Sequence, residues 1–364
     1  MNQVQRIEAI DILRGLALAL MLLVNNPGNW SAVYAPFLHA DWHGLTPTDL
    51  VFPFFLFVVG ASMACSLRLQ IQARGLPWFS VIKRTLLLFL IGLILHIIPF
   101  DKSPENWRIL GVLQRIAVCF FIVALLITFV KQKWLTMLAG LTLVAYWLAL
   151  NAFSDAPYAL ETNLVRYIDL SVMGSSHMWQ GKGLAFDPEG IFSTISSCIT
   201  VLSGYLVCMR IQRYQHASQQ AVFLAKIGAV MILLGLLWSV WDPLNKSLWT
   251  SSFVLVSSGI ACIILSLITF LWDINNIRFG LNALKVYGTN PIFIYVAAWV
   301  FAVALSSISV DVSGESMTVK QAVYSTLTVT MSAKLASLVY AICFCAVFYW
   351  VSLALYKKKI FIKL

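Results

Sequence analysis

Charged residues are scarce in this sequence: they make up 11% of its 364 residues, whereas hydrophobic residues make up 60%. A soluble domain needs more polar surface than this, and no polar stretch is long enough to form a separate water-soluble core. The mean hydropathy is +0.85. These values predict an integral membrane protein with a single membrane domain over residues 1–364.

Paired cysteines and clustered basic residues are also missing. The seven cysteines lie in or beside apolar segments without paired spacing in the polar loops, which argues against a disulfide framework and a zinc site. The net charge of +10 comes from basic residues scattered through short loops, not gathered with aromatics. We therefore expect no metal and no nucleic-acid partner, and a lipid bilayer accounts better for the charge.

Apolar segments of about 20 residues, enough to cross a hydrocarbon core of roughly 30 Å, recur along the whole chain. The segment 320–332 is too short and polar to count with them, and is interpreted as interfacial or re-entrant. The pattern predicts an all-α polytopic bundle of about ten transmembrane helices, near 9–26, 49–67, 83–100, 112–130, 134–152, 190–208, 222–240, 250–272, 288–307 and 334–356.

Lysines and arginines are divided unequally between the two sets of loops that these helices define. Seventeen lie on the side that holds both termini and seven on the other, with Arg115 inside a helix. The positive-inside rule then predicts cytoplasmic termini. The first segment lacks a small-residue cleavage site, so we interpret it as a retained helix. The outer loops are then 27–48, 101–111, 153–189 and 241–249.

The insert between the first two predicted helices concentrates titratable side chains at a membrane boundary. His39, His43 and Asp49 lie there, and Asn25 ends the preceding helix. A histidine titrates near neutral pH and can act as a general base, and an asparagine amide can stabilise an oxyanion. The structural alternatives are loop hydrogen bonds for the histidines and helix capping for Asn25 and Asp49.

Charges inside the predicted helices need partners, because an unpaired ion costs several kcal/mol in the bilayer. Arg115, next to Gln114, should therefore face a polar cavity or a carboxylate. Arg14 either pairs with Asp11 one turn away or lines a nucleotide entrance.

The outer segment 163–190 is the second concentration of polar residues, and it contains His177, Asp187 and Glu189 among several aromatics. A loop of this length is usually functional or disordered, and aromatic rings beside carboxylates suit sugars. The alternative is an interfacial belt of aromatic residues with helix-capping acids.

Ordered blocks along nearly the whole chain resemble the catalytic membrane domain of the heparan-alpha-glucosaminide N-acetyltransferase family, including its bacterial NagX-type members. The matching blocks are IDILRG (10–15), VN (24–25), HADWHGLT (39–46), DLVFP (49–53), GVLQR (111–115), RYID (166–169), DPEG (187–190), NKSLWT (245–250) and KKKIF (357–361).

The resemblance implies a multi-pass acyltransferase of the bacterial inner membrane. It would move an acetyl group from cytoplasmic acetyl-CoA to an amino sugar or glycan outside, with His39 as the active histidine, serving as base or acyl carrier, and Asn25 as the catalytic asparagine. We further assign acetyl-CoA binding to Arg14, Arg84, Gln114 and Arg115, and acceptor binding to His43, Asp49, His177, Asp187 and Glu189.

Some alternatives stay open at this point. Compared with the eukaryotic enzyme, the chain lacks an extra luminal domain and a first helix, and it has His43 where that enzyme has asparagine, so the acceptor is not determined. The rival function is an inner-membrane carrier of N-acetylglucosamine or a related sugar, since carriers also place polar groups between helices. Monomer and homodimer are both compatible with the sequence.

Overall fold

Most of the chain is α-helical in the computed structural model, which describes residues 7–100, 103–312 and 314–362. Arg6, Lys102 and Lys363, whose charges enter the topology prediction, lie outside these ranges. The α-helices are α1 (Glu8–Asn25), α2 (Val51–Cys65), α3 (Leu67–Arg74), α4 (Trp78–Ile97), α5 (Val112–Phe129), α6 (Gln132–Phe153), α7 (Leu164–Met173), α8 (Ile191–Ile211), α9 (Ala217–Trp238), α10 (Ser251–Thr269), α11 (Leu281–Tyr287), α12 (Pro291–Ser307), α13 (Val319–Thr328) and α14 (Ala333–Lys357).

Short elements fill the connections between these helices. A two-stranded antiparallel hairpin, which the sequence did not predict, pairs β1 (Ser309–Val312) with β2 (Glu315–Thr318). The next element, α13, occupies most of the segment interpreted as interfacial or re-entrant. A π-helical turn, Phe270–Ile274, extends α10, and the 3₁₀ turns are Ala35–Phe37, Pro47–Leu50, Pro104–Asn106 and Ser175–His177.

Eight helical segments of the described chain are long and apolar enough to cross a membrane, and α11 with α12 forms a ninth candidate that bends by 81°. Helix α1 has 18 residues, of which Glu8, Asp11 and Arg14 are charged. Each of the ten predicted segments overlaps a helix. The helical membrane bundle is thus confirmed, while the count of ten spans and the cytoplasmic termini stay predictions.

Helices α2 and α8 form the buried centre of the bundle, and their backbones touch at two glycines. A Cβ added to Gly60 would lie 1.7 Å from the Val201 carbonyl oxygen, and one added to Gly204 would lie 1.9 Å from the Phe57 carbonyl oxygen. Membrane helices associate largely through such van der Waals contact, because lipid is as apolar as their side chains. Glycine at these positions therefore sets how closely α2 and α8 approach.

Helix α1 packs against α11 in the same manner, since a Cβ added to Gly15 would lie 1.7 Å from the Leu284 carbonyl oxygen. The 81° bend between α11 and α12 comes next in the chain. There Pro291, which has no backbone N–H, begins α12. Asn290, the residue before the bend, donates its amide to the Ile360 carbonyl at 2.9 Å. The C-terminal segment thereby supplies partners at the broken helix.

Replacing Gly60 by alanine should destabilise the bundle, because a methyl group has no space between α2 and α8. Overpacking of this kind costs about 1–3 kcal/mol. We expect the melting temperature in detergent to fall by a few degrees. Gly140→Ala is the matched control, since nothing lies within 4 Å of a Cβ at Gly140. Equal melting temperatures for the two variants would contradict the tight α2–α8 contact.

Candidate active site

A cavity of about 360 Å³ opens where several connections meet at one end of the bundle. Its walls come from the end of α1, the start of α2, and the segments that precede α5, α8 and α10. Four of the predicted site residues line it, namely Asn25, His39, Asp49 and Glu189, and so do Arg108, Trp179, Lys182, Lys246 and Ser247.

A hydrogen-bonded pair of His39 and Asp49 lies in the cavity wall. The His39 Nδ1 is 2.6 Å from the Asp49 Oδ1, the His39 side chain is 49% exposed, and the Asp49 side chain is 2% exposed. A carboxylate only accepts hydrogen bonds, so the Nδ1 atom carries the hydrogen in this contact. In the neutral ring the Nε2 atom then keeps its lone pair, which is the state a general base requires.

The carboxylate of Asp49 is held by the local fold. Thr46 and Asp49 form a capping box around the 3₁₀ turn Pro47–Leu50. The Asp49 Oδ2 accepts from the Ala40 N–H at 3.1 Å, the Thr46 N–H at 3.0 Å and the Thr46 hydroxyl at 2.9 Å. Asp49 therefore caps the turn with one oxygen, which was its structural alternative, and orients His39 with the other, which the sequence did not predict.

Lys246 faces this pair from the connection before α10. Its Nζ lies 3.1 Å from the His39 Nδ1, 3.4 Å from the His39 Nε2 and 3.8 Å from the Asp49 Oδ1. Burial lowers the pKa of Lys246, while the charges of Asp49 and Glu189 oppose that shift. The cavity therefore holds the Lys246 amine beside the histidine ring and its carboxylate partner.

Arg108 anchors the opposite wall through two acids. It donates to both oxygens of Asp187, at 2.9 and 2.7 Å, and to Glu189 at 2.6 Å. Burial favours the neutral form of Glu189, but the charges of Arg108, Arg115 and Lys246 outweigh it and hold the pKa of Glu189 below its usual range. Asp187 is fully buried behind the cavity wall, where it fixes the Arg108 guanidinium.

The predicted site residues His43 and His177 do not line this cavity. The Nδ1 of His43 accepts from the Asn245 amide at 3.4 Å, and burial lowers the pKa of His43. The Nδ1 of His177 is 2.8 Å from the Trp107 carbonyl oxygen. Both rings thus make the loop hydrogen bonds that were the structural alternative for the histidines.

Gln114 and Arg115 lie deeper, at the start of α5. Gln114 donates to the Ile109 carbonyl at 3.0 Å, and Arg115 donates to the Gly190 carbonyl at 3.0 Å and to the Ser193 hydroxyl. The Nε and Nη1 of Arg115 are buried and have no hydrogen-bond partner among the described residues. Arg115 thus ties α5 to the first turn of α8.

Arg14 and Arg84 lie on other helices, outside the cavity wall. Arg14 is half-buried and donates to Asp11 at 2.8 Å, to the Ser62 hydroxyl at 2.6 Å and to the Gly288 carbonyl at 3.2 Å. The Arg84 guanidinium stacks over the Phe120 ring at 4.6 Å. These contacts supply structural partners for both arginines within the bundle.

Arg108, Lys182 and Lys246 were not predicted as site residues, although all three line the cavity. The distribution of charge along the sequence could have identified them. The positive-inside rule makes basic residues rare on outer loops, so basic residues in the loops predicted to lie outside need another cause. The block NKSLWT, which contains Lys246, was also among those that carried the family resemblance.

Comparisons with known proteins agree with the family resemblance of the sequence. Residues 6–172 match the family model described as heparan-alpha-glucosaminide N-acetyltransferase, catalytic. The chain is 30% identical over 357 residues to the heparan-alpha-glucosaminide N-acetyltransferase of Mus musculus, and 30% identical over 358 residues to that of Homo sapiens. Each alignment covers 81% of this chain and 53% of the relative, so the chain spans about half the length of these curated relatives.

Replacing Arg108 by glutamine should destabilise the protein, because the fully buried Asp187 then loses its counter-ion. Removing one partner of a buried ion pair costs about 3–5 kcal/mol. Lys182→Gln is the control, since Lys182 lines the same cavity but donates to the Asp41 carbonyl. Thermal unfolding at pH 7 should separate the two variants.

The same variant should show a defined pH dependence. The lowered pKa of Glu189 gives the wild-type protein stability that is present above the ordinary value of 4.5 and is lost as the pH falls through the folded-state value. The gap between wild type and Arg108→Gln should therefore be largest at neutral pH and shrink below about pH 4.5. A gap that is independent of pH would contradict this charge cluster.

Proposed function

We propose that this chain, which belongs to the heparan-alpha-glucosaminide N-acetyltransferase family, is a transmembrane N-acetyltransferase that moves an acetyl group from acetyl-CoA to the amine of a glucosamine-type acceptor. The observation that carries the proposal is the 2.6 Å pair of His39 and Asp49 in a cavity that Asn25 also lines. A histidine oriented by a carboxylate and beside an amide donor has the parts that acyl transfer to an amine requires.

In the first step His39 acts as the general base. Asp49 holds the Nδ1 side of the ring, so the Nε2 removes a proton from the acceptor nitrogen as that nitrogen attacks the thioester carbonyl. Asp49 also stabilises the imidazolium that forms, as the carboxylate does in hydrolase triads. The reaction forms a C–N bond and breaks the C–S bond, and the proton on His39 passes to the departing CoA thiolate.

Negative charge develops on the carbonyl oxygen during the attack, and two groups of the cavity can stabilise it. Asn25 offers its side-chain amide at the end of α1, and Lys246 offers an ammonium group near His39. Donors that are already in place cost no reorganisation during the reaction, which makes such stabilisation effective.

The positive-inside rule supports an arrangement in which the cavity faces the outer side of a bacterial inner membrane. Acetyl-CoA then approaches through the bundle from the cytoplasm, and Arg14 and Arg84 are our candidates for its phosphates. Gln114 and Arg115 add buried polar side chains at the start of α5. On the outer side, Glu189 and Trp179 offer a carboxylate and an aromatic ring, a combination that suits an amino sugar.

Replacing His39 by alanine should lower acetyl transfer to glucosamine by at least about 10²-fold, because general base catalysis is typically worth 10²–10⁴. Asp49→Asn should also lower the rate while the protein stays folded, since the ring would lose its anionic partner. His216→Ala is the control, because this exposed histidine precedes α9 outside the cavity. Full activity of purified His39→Ala would refute the mechanism.

Binding of the donor separates the enzyme from the sugar carrier that the sequence also allowed. A ligand at 100 times its Kd stabilises the folded state by about 2.7 kcal/mol, so acetyl-CoA should raise the melting temperature of the detergent-solubilised chain measurably. A carrier would instead respond to N-acetylglucosamine and not to acetyl-CoA. The comparison needs both ligands tested on the same preparation.

A further inference from the structure

A second cavity, of about 520 Å³, lies between α6, α8, α9 and α10 and shares no lining residue with the candidate active site. This cavity, called the α6–α10 cleft below, falls within the roughly 300–1,000 Å³ of small-ligand sites. Its walls are mainly apolar, with Leu143, Ile199, Leu206, Phe223, Ile227 and Met231 among the residues that line it.

Two arginines line one end of the cleft. Arg210 lies in the last turn of α8, and Arg213 follows that helix by two residues. Both side chains are exposed, and neither forms an ion pair with a residue that the structure describes. Gln132, the first residue of α6, lines the cleft beside them. The mouth thus carries two uncompensated positive charges above an apolar interior.

The cleft has the depth of one leaflet of a bilayer. Along α6 it extends from Gln132 to Leu143, eleven residues apart. At 1.5 Å per residue this distance is about 16 Å. Half of a hydrocarbon core of roughly 30 Å is about 15 Å. A ligand whose charged group binds the arginines would therefore extend from the membrane surface to the bilayer centre.

The cleft also opens sideways through the surface of α6. Gln132, Thr136 and Gly140 are spaced four residues apart and therefore share one face of the helix. All three are exposed. Nothing lies within 4 Å of a Cβ built on Gly140. A molecule that moves in the plane of the membrane can enter here without passing through the bundle.

We propose that the α6–α10 cleft binds an anionic phospholipid, with its phosphate at Arg210 and Arg213 and an acyl chain between the four helices. Basic pockets between membrane helices are suited to such headgroups. The apolar walls disfavour CoA, because the amides of its pantetheine arm would be buried with few hydrogen-bond partners. Thr136 and Ser203 are the hydroxyl side chains that line the cleft.

Native mass spectrometry of the detergent-solubilised full chain, titrated with dioleoyl phosphatidylglycerol, tests the headgroup. Each basic side chain near a phosphate contributes roughly fivefold in affinity, so Arg210→Gln/Arg213→Gln should bind this lipid roughly 30-fold more weakly. Arg74→Gln/Lys83→Gln is the matched control, since it removes two exposed charges that do not line the cleft. Wild-type affinity in the Arg210/Arg213 variant would overturn the proposal.

Gly140→Leu tests the acyl-chain site without changing any charge. The new side chain projects into open space, so it should occupy the cleft and reduce lipid binding several-fold while the melting temperature is retained. Unchanged lipid binding would place the lipid elsewhere.

Two further ligands test the chemistry of the site. Equal binding of dioleoyl phosphatidylcholine, or displacement of the lipid by acetyl-CoA, would contradict an anionic-lipid site. If Gly140→Leu changed the protein from a dimer to a monomer, a second copy of the chain would be the occupant of the α6–α10 cleft. That result would also overturn the lipid proposal.

Discussion

The backbone contact between α2 and α8 determines the geometry of the rest of the protein. Gly60 and Gly204 let the two helices touch, and each helix begins at the candidate active site. The capping turn before α2 carries Asp49, and the turn before α8 carries Glu189. Because a helix is stiff along its axis, the distance between these two polar turns follows from the contact between the helices several turns away.

Two buried carboxylates organise the cavity at those helix starts. Asp49 fixes His39, and Asp187 fixes Arg108, so each wall presents one basic side chain that a carboxylate orients. The charges of the site are thereby compensated within the protein before any substrate binds. In a membrane protein this matters, since polar groups without partners are expensive near lipid. Arg115 meets this requirement in part, since its Nη2 donates to residues at the start of α8 while its Nε and Nη1 have no hydrogen-bond partner among the described residues.

Much of the fold could be predicted because hydrophobic periodicity and segment length respond directly to the bilayer. Each of the ten predicted segments overlaps a helix, whereas the β1–β2 hairpin and the 81° bend before Pro291 were not foreseen. Both depend on local hydrogen bonding that hydropathy does not encode. Within the site, His39 and Asn25 were proposed from residue type and from the family resemblance, and both line the cavity.

The sequence by itself determined the membrane setting and the helical class, because these follow from the lengths of the apolar runs, and its ordered blocks carried the family resemblance. Tertiary structure alone decided which polar groups meet. It brought Lys246 to His39 across more than 200 residues, and it kept His43 and His177 out of the cavity wall. The physical reason is that a side chain's partners depend on how helices cross, and crossings depend on close contacts between residues far apart in the chain.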